Sequence, residues 1–304
     1  MATAKKTASR PVDQEAKQEV LASASTAVAE VKRTAIAAPS FMDAADMGAG
    51  FEGASADAYA IPFLQLLQKM SPVVDEDNPK HIPGAKAGMF LNTLTGKLYD
   101  VKSRPLDIVQ SAYKHSFILW GSRDGDQGGF KGEISPEDMD SIVADGKVEN
   151  VNGKLIVKNA DGTFDVKKSD YYSDTRAHYV IVIDPDTGES MAAILSLAST
   201  QIKSSKTLMT MLQNKKVSIG NKIGTPATYA NRIKLTTTVQ QNDQGTWSTA
   251  KFDLDGLVTD AEIFVQAKEF HKAVATGKAN VDYSKSVDTG EGNVTGAPKQ
   301  AEGF

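Results

Sequence analysis

The densest apolar run in the chain opens at AYAIPFLQLLQKMSP, where Pro62 interrupts it early and Pro72 closes it, and this predicts a short buried element over about 63–70. Strand and turn signals follow: Met89, Phe90 and Leu91, then the turn LTGK, then Leu98 and Tyr99. RPLDIVQSAYKHSFILWG alternates as one long strand. VENVNGKLIVKNADGTF carries a hairpin signal at Asn152-Gly153 and a second turn at Asp161-Gly162. AHYVIVIDPDTGESMAAILSL reads as two apolar strands around DPDTGE. The period then lengthens. From Ser199 to about Asn214, Ile202, Ser205, Met209 and Leu212 share one helical face and Lys203, Thr207, Thr210 and Asn214 another, with Ser199 or Thr200 as the N-cap. Two strands, TYANRIKLTTTVQQ and TWSTAKFDLDG, are joined by NDQG. The last regular element, TDAEIFVQAKEFHKAVATG, is a helix with a threonine cap, acids in its first turn and Gly277 as its stop.

Several strands, one helix and a closing hairpin make an α+β chain. The order fits an OB-like five-stranded β-barrel core with an acidic insertion at about 122–175 and flanking helices; a β-sandwich with appended helices reads similarly. Three regions are expected. Residues 1–56, rich in Ala, Ser, Thr and Gly with Phe41 and Phe51 as their only aromatics, read as a flexible, disordered N-terminal arm in which Val20, Ala24, Ala27, Val28 and Val31 form a weak helical stripe. Residues 57–283 form the OB-like nucleic-acid-binding domain, and 284–304 a flexible, disordered C-terminal tail.

Composition narrows the chemistry. A chain of 304 residues with 40% hydrophobic content can bury a core, and the absence of cysteine removes disulfides, thiolate metal sites and thiol nucleophiles. No apolar run reaches the ~18 residues that span a bilayer, and MATAKKTASRPVDQEAKQEV lacks the apolar segment of a secretory signal, so a soluble, cytosolic protein is expected. His81, His115, His178 and His271 lie on unrelated elements without metal-ligand spacing. GAKAGMF lacks the Gly-Lys-Ser/Thr of a phosphate-binding loop, and DGDQGGFKGEIS begins like a calcium loop but has Ser135 where a bidentate glutamate is needed. No recognisable scaffold places a carboxylate pair, so a metal-dependent nuclease has no cluster to rest on. The expectation is a non-enzymatic protein with no cofactor and no metal.

Charge changes the picture more than composition does. The net charge is −4, yet no Asp or Glu stands between Glu189 and Asp243, an interval that holds Lys203, Lys206, Lys215, Lys216, Lys222, Arg232 and Lys234. Residues 124–175 are correspondingly acidic, so charge is segregated along the chain. Strand parity puts Ile233 and Leu235 on one face of TYANRIKLTTT and Arg232, Lys234, Thr236 and Thr238 on the other. In TWSTAKFDL, Ala250, Phe252 and Leu254 oppose Trp247, Thr249 and Lys251. If these strands pair with their apolar faces inward, Arg232, Lys234, Trp247 and Lys251 share one outward surface. Cations beside an aromatic ring suit single-stranded nucleic acid: phosphates reward Lys and Arg through counterion release, and unpaired bases reward a ring. Lysines on a helix are also an ordinary solvated face, and a tryptophan near a hairpin also caps a barrel. Tyr113, His115 and Phe117 share a strand face too, where core packing is the reading taken.

The segments IPFLQLLQKMSPVV, HIPGAKAGMFLNTLTGKLYD, YKHSFILWG, LSLASTQIKSSKTLMTML and RIKLTTTVQQNDQGTWSTAKF, spanning about Ile61 to Phe252 in matching order, resemble a family of tailed-bacteriophage single-stranded DNA-binding proteins. The resemblance implies a protein that covers single strands, without sequence preference, during phage DNA replication or recombination in the cytoplasm of the infected bacterial host. The phosphate-binding candidates are Lys203, Lys206, Lys215, Lys216, Lys222, Arg232, Lys234 and Lys251, with Trp247 stacking on a base. The last residues, with Glu302 and Phe304, look like a weak version of the acidic, aromatic-ended tail by which replication single-strand binders recruit phage replication proteins; an unstructured end is the other reading. The alternative function is a phage structural or virion-associated protein that offers the same basic surface to an acidic protein partner.

Overall fold

The computed structural model describes residues 39–53, 59–122, 128–151, 153–243, 245–279, 281 and 283. Most of the predicted N-terminal arm, its helical stripe, and the tail with Glu302 and Phe304 lie outside the described residues.

The long alternating stretch forms β4 (Leu106–Gly121), the spine of the main sheet. One edge of β4 pairs along nearly its whole length with β8 (Tyr171–Ile183). The other edge is shared. Leu106–Val109 pair with β12 (Asn231–Asn242), and Phe117–Gly121 with β5 (Gly129–Ile134). The far edge of β8 is likewise split between β7 (Lys154–Val157) and β9 (Ser190–Ala198). β6 (Val148–Val151) and β13 (Gly245–Leu257) complete the eight strands. A three-stranded sheet of β1 (Leu64–Leu66), β2 (Phe90–Asn92) and β3 (Leu98–Tyr99) stands apart, as does the hairpin of β10 (Val217–Ile219) and β11 (Lys222–Gly224).

Side-chain alternation divides the core into two layers. From β8, Val180 and Val182 enter a cluster with Ile108, Leu195, Leu197, Ile233, Leu235, Ala250 and Phe252, which α2 (Ile202–Asn214) covers through Leu208 and Leu212. Tyr179 and Ile181 point the other way, into a cluster that α3 (Ala261–Ala275) covers through Ile263, Ala267 and Phe270. Ser111 is an extra residue in β4, where the register to β8 slips between Gln110 and Ala112. Its carbonyl accepts from His271 Nδ1 at 3.1 Å and from Thr228 Oγ1 at 3.4 Å, so the backbone acceptor at the bulge is satisfied. No helix among the described residues is long and apolar enough to cross a membrane.

The architecture is α+β, sheet-rich, with three helices, but the expected OB-like five-stranded barrel does not close. In the order β9-β8-β4-β12-β13 the end strands share no ladder among the described residues. The reason lies in what occupies the free edge of β13. The Ser248 N–H donates to Gln68 Oε1 and its carbonyl accepts from the Gln68 and Gln201 amides, while the Ala250 N–H donates to Gln201 Oε1, all at 2.8–3.0 Å. Two glutamine side chains satisfy backbone groups that a closing strand would otherwise take. The acidic stretch expected as an insertion supplies β5, α1 (Pro136–Ala144), β6, β7 and the start of β8.

Two caps also differ from expectation. Ser199 and Thr200 lie in a 3₁₀ turn, with Ser199 at a φ of 50°, and neither caps α2, whose N-cap Gln201 makes no side-chain cap bond. For α3 the cap is Asp260 rather than Thr259: its carboxylate accepts from the backbone N–H groups of Glu262 at 2.8 Å and Ile263 at 3.2 Å. Asp260→Ala should therefore cost about 1 kcal/mol, read as a lower urea midpoint at unchanged denaturant slope.

Candidate nucleic-acid interface

The β12–β13 ribbon forms in the predicted orientation. Ile233 and Leu235 are buried, and Arg232 and Lys234 alternate to the outer face. Lys251 sits opposite Thr236, and Asp253 opposite Lys234. That outer face is not a field of positive charge. Arg232 bonds Asp107 at 2.6 Å and lies 3.6 Å from Asp255; Lys234 reaches Asp107 at 2.7 Å and Asp255 at 3.5 Å; Lys251 pairs with Asp253 at 2.8 Å. Burial alone would raise the Asp107 carboxyl, but hydrogen bonds and charge from Arg232 and Lys234 outweigh it and hold the group below the ordinary carboxylate range. The same bond from Asp107 raises the already high Arg232 guanidinium. Trp247 is partly exposed and faces Gln240 near the far end of the ribbon, four residues or about 13 Å along the strand from Lys251.

The remaining lysines lie elsewhere. Leu208 and Leu212 of α2 pack on Ala250 and Phe252 of the inner ribbon face, so the exposed side of α2 points away from the ribbon. Lys203, Lys206, Thr207 and Thr210 are exposed there and, with Ile202 and Met211, line an open depression of about 560 Å³. Lys215 donates to the Gly256 carbonyl at 2.5 Å, and Lys216 to Thr225 Oγ1 at 2.6 Å. Lys222 is exposed on β11. None of these five lysines pairs with a carboxylate among the described residues.

The nine candidate residues thus divide between two surfaces. Arg232, Lys234, Lys251 and Trp247 occupy the outer ribbon, where three aspartates neutralise the cations. Lys203 and Lys206 lie on α2, Lys215 and Lys216 on the link after it and Lys222 on β11, and none of the five pairs with a carboxylate among the described residues. Asp253 and Asp255 could have been read from parity, since FDLDG alternates them onto the face of Lys251. Asp107, 125 residues from Arg232, could not. Sequence reading also passed over the β10–β11 hairpin, although Gly220-Asn221 is a two-residue turn signal.

His115, His178 and His271 have ordinary structural partners. His178 is fully buried, donating from Nδ1 to Gln110 Oε1 at 2.9 Å and accepting at Nε2 from Ser205 Oγ at 2.8 Å. This ties α2 to the sheet. His115 lies 2.9 Å from Asp174, which also receives Arg176 through two bonds of 2.9 Å. Among the described residues no three His, Asp or Glu converge closely enough to hold a metal ion.

A family model described as Pam3 phage gp34-like protein matches residues 31–280. No curated protein and no solved structure matches the chain.

Proposed function

This chain belongs to the Pam3 phage gp34-like protein family, and from that phage kinship together with its acid-free lysines we propose that it binds single-stranded DNA. In this reading it covers single strands without sequence preference during phage DNA replication or recombination, in the cytoplasm of the infected bacterial host, and carries out no catalysis. The observation that supports it is the contrast between the two basic surfaces. Cations of the ribbon are each matched by an aspartate, whereas Lys203, Lys206, Lys215, Lys216 and Lys222 are left without a carboxylate partner among the described residues. Ordinary solvated faces mix both signs, so five lysines without one acid favour a polyanion as their counterpart.

The strand order supports the same reading. Taken as β9-β8-β4-β12-β13, with α2 between the third and fourth strands in chain order, five of the eight strands are compatible with the order of an OB fold, which binds oligonucleotides in other proteins. The phosphate track in this proposal runs along α2 to the β10–β11 hairpin.

Titration of poly-dT at several salt concentrations tests it. Log affinity should fall linearly with log salt, and replacing Lys203 and Lys206 by Ala should reduce the slope by about 1.4, since each single-strand phosphate contributes about 0.7. A slope equal to that of wild type would remove α2 from the interface. Absence of binding at low salt would discard the single-strand reading and leave the acidic protein partner as the counterpart of these lysines.

A further inference from the structure

β10 and β11 form a separate two-stranded hairpin whose two isoleucines are left in solvent, while Val217 at its base is half-buried: Ile219 is 75% exposed and Ile223 79%. A hairpin of this size is marginal alone, so something must hold its base. Thr225 Oγ1 donates to the Gln213 carbonyl at 3.0 Å and accepts from Lys216 Nζ at 2.6 Å, and Lys215 reaches Gly256 of β13. These bonds tie the hairpin to the end of α2. Gly220, at a φ of 58° in the first central position, makes the two-residue turn at the tip.

The register decides which way the isoleucines point. Ile219 stands opposite Lys222, and Ile223 opposite Ser218. Cross-strand partners share a face and neighbours along a strand alternate, so the two isoleucines project from opposite faces of the hairpin. A flat protein surface or a bilayer would take one apolar face. An element that enters between two stacked planar rings needs an apolar group on each, and apolar wedges of this residue type part adjacent bases in architectural DNA-binding proteins. Lys216 and Lys222 stand beside them, without a carboxylate partner among the described residues, where phosphates flanking the parted bases would lie.

The geometry points to the β10–β11 tip as a base-separating wedge: Ile219 and Ile223 insert between neighbouring unpaired bases while Lys216 and Lys222 hold the adjacent phosphates. This rests on the single-strand reading above and moves the base contact from Trp247 to the hairpin.

The test uses the full chain and an oligothymidylate carrying two adjacent fluorescent purines whose emission rises on unstacking. Wild type should bind and raise the emission. The pair Ile219→Ser and Ile223→Ser should lose most of that rise at saturation and about tenfold in affinity, with the salt slope of wild type. Leucine at both positions should restore both readouts. Lys222→Ala, which leaves the ties at the hairpin's base in place, should reduce the slope by about 0.7 and keep the rise at saturation. Thermal midpoints should stay together, because both isoleucines are exposed. A serine variant with wild-type emission and affinity, or a leucine variant that restores neither, overturns the wedge while single-strand binding stands. A wild type that fails to bind the oligonucleotide at low salt overturns both.

Discussion

Replacing His178 by Leu should destabilise the protein by about 2–4 kcal/mol at neutral pH, and the deficit should shrink as the solution is acidified. The ring is fully buried, edge-on to Tyr113 at 5.2 Å between centroids and 6.4 Å from Phe252, and its hydrogen bonds join Gln110 of β4 to Ser205 of α2. Leucine leaves the Gln110 carbonyl oxygen and the Ser205 hydroxyl buried without that partner. Burial pushes the imidazole from its ordinary value of 6.5 down to about 3, so it is neutral in the fold, as the two bonds require. The sign follows from proton counting. Above pH 6.5 neither state binds the proton; between 6.5 and about 3 the unfolded chain binds it and the fold does not, so wild type loses stability as pH falls, by about 1.4 kcal/mol per pH unit. The leucine variant lacks this dependence. Urea unfolding at pH 7 and pH 5 should bring the two proteins about 2 kcal/mol closer, and a gap that holds constant would mean that the ring titrates freely in the fold.

The second large effect is expected at Asp107. Its carboxylate, at the β4–β12 junction, receives both Arg232 and Lys234. Asp107→Ala leaves those two cations with Asp255 alone, at 3.6 and 3.5 Å. Removing one partner of a well-buried ion pair costs about 3–5 kcal/mol, and partial exposure of these cations lowers the expectation to about 2 kcal/mol. Asp253→Ala, which breaks an exposed pair with Lys251, should cost under about 1 kcal/mol. Because the Asp107 carboxyl is held low in the fold, its contribution is complete above the ordinary carboxylate range and disappears as pH falls through the depressed value. The same variant separates the two basic surfaces. If DNA runs along α2 and the hairpin, freeing Arg232 and Lys234 leaves the poly-dT salt slope unchanged; a steeper slope would extend the track onto the ribbon.

Long apolar or alternating strands were legible in the sequence. RPLDIVQSAYKHSFILWG became β4, buried on both faces over Ile108–Ala112, and Ile233, Leu235, Ala250 and Phe252 turned inward as their parity required, because a half-buried strand such as β12 carries its environment in every second residue. Elements with a thin apolar signature were not. α1 buries only Met139, so no stripe marks it, although Ser135, Pro136 and Asp138 spell a capping box that could have been read. Barrel closure was misjudged because nothing in the local pattern announces that Gln68 and Gln201 will occupy the edge of β13. The candidate site divides the same way. An interval without acids is a one-dimensional fact, and it survives folding only where no other strand brings acids in. α2 and β10–β11 keep it; the ribbon loses it to Asp107 from β4 and to Asp253 and Asp255 from β13.

The splitting of both spine edges bears on any attempt to trim the molecule. β5 and β7 are the lateral partners of the outer parts of β4 and β8, through Phe117–Gly121 and through Tyr171 and Tyr172. A version shortened by cutting away residues 122–170, which keeps all of β8, would strip those rows of amides and carbonyls bare on a two-stranded finger. Such a finger invites its own copies to stack edge to edge, so the expected product of that shortening is insoluble material rather than a smaller working protein.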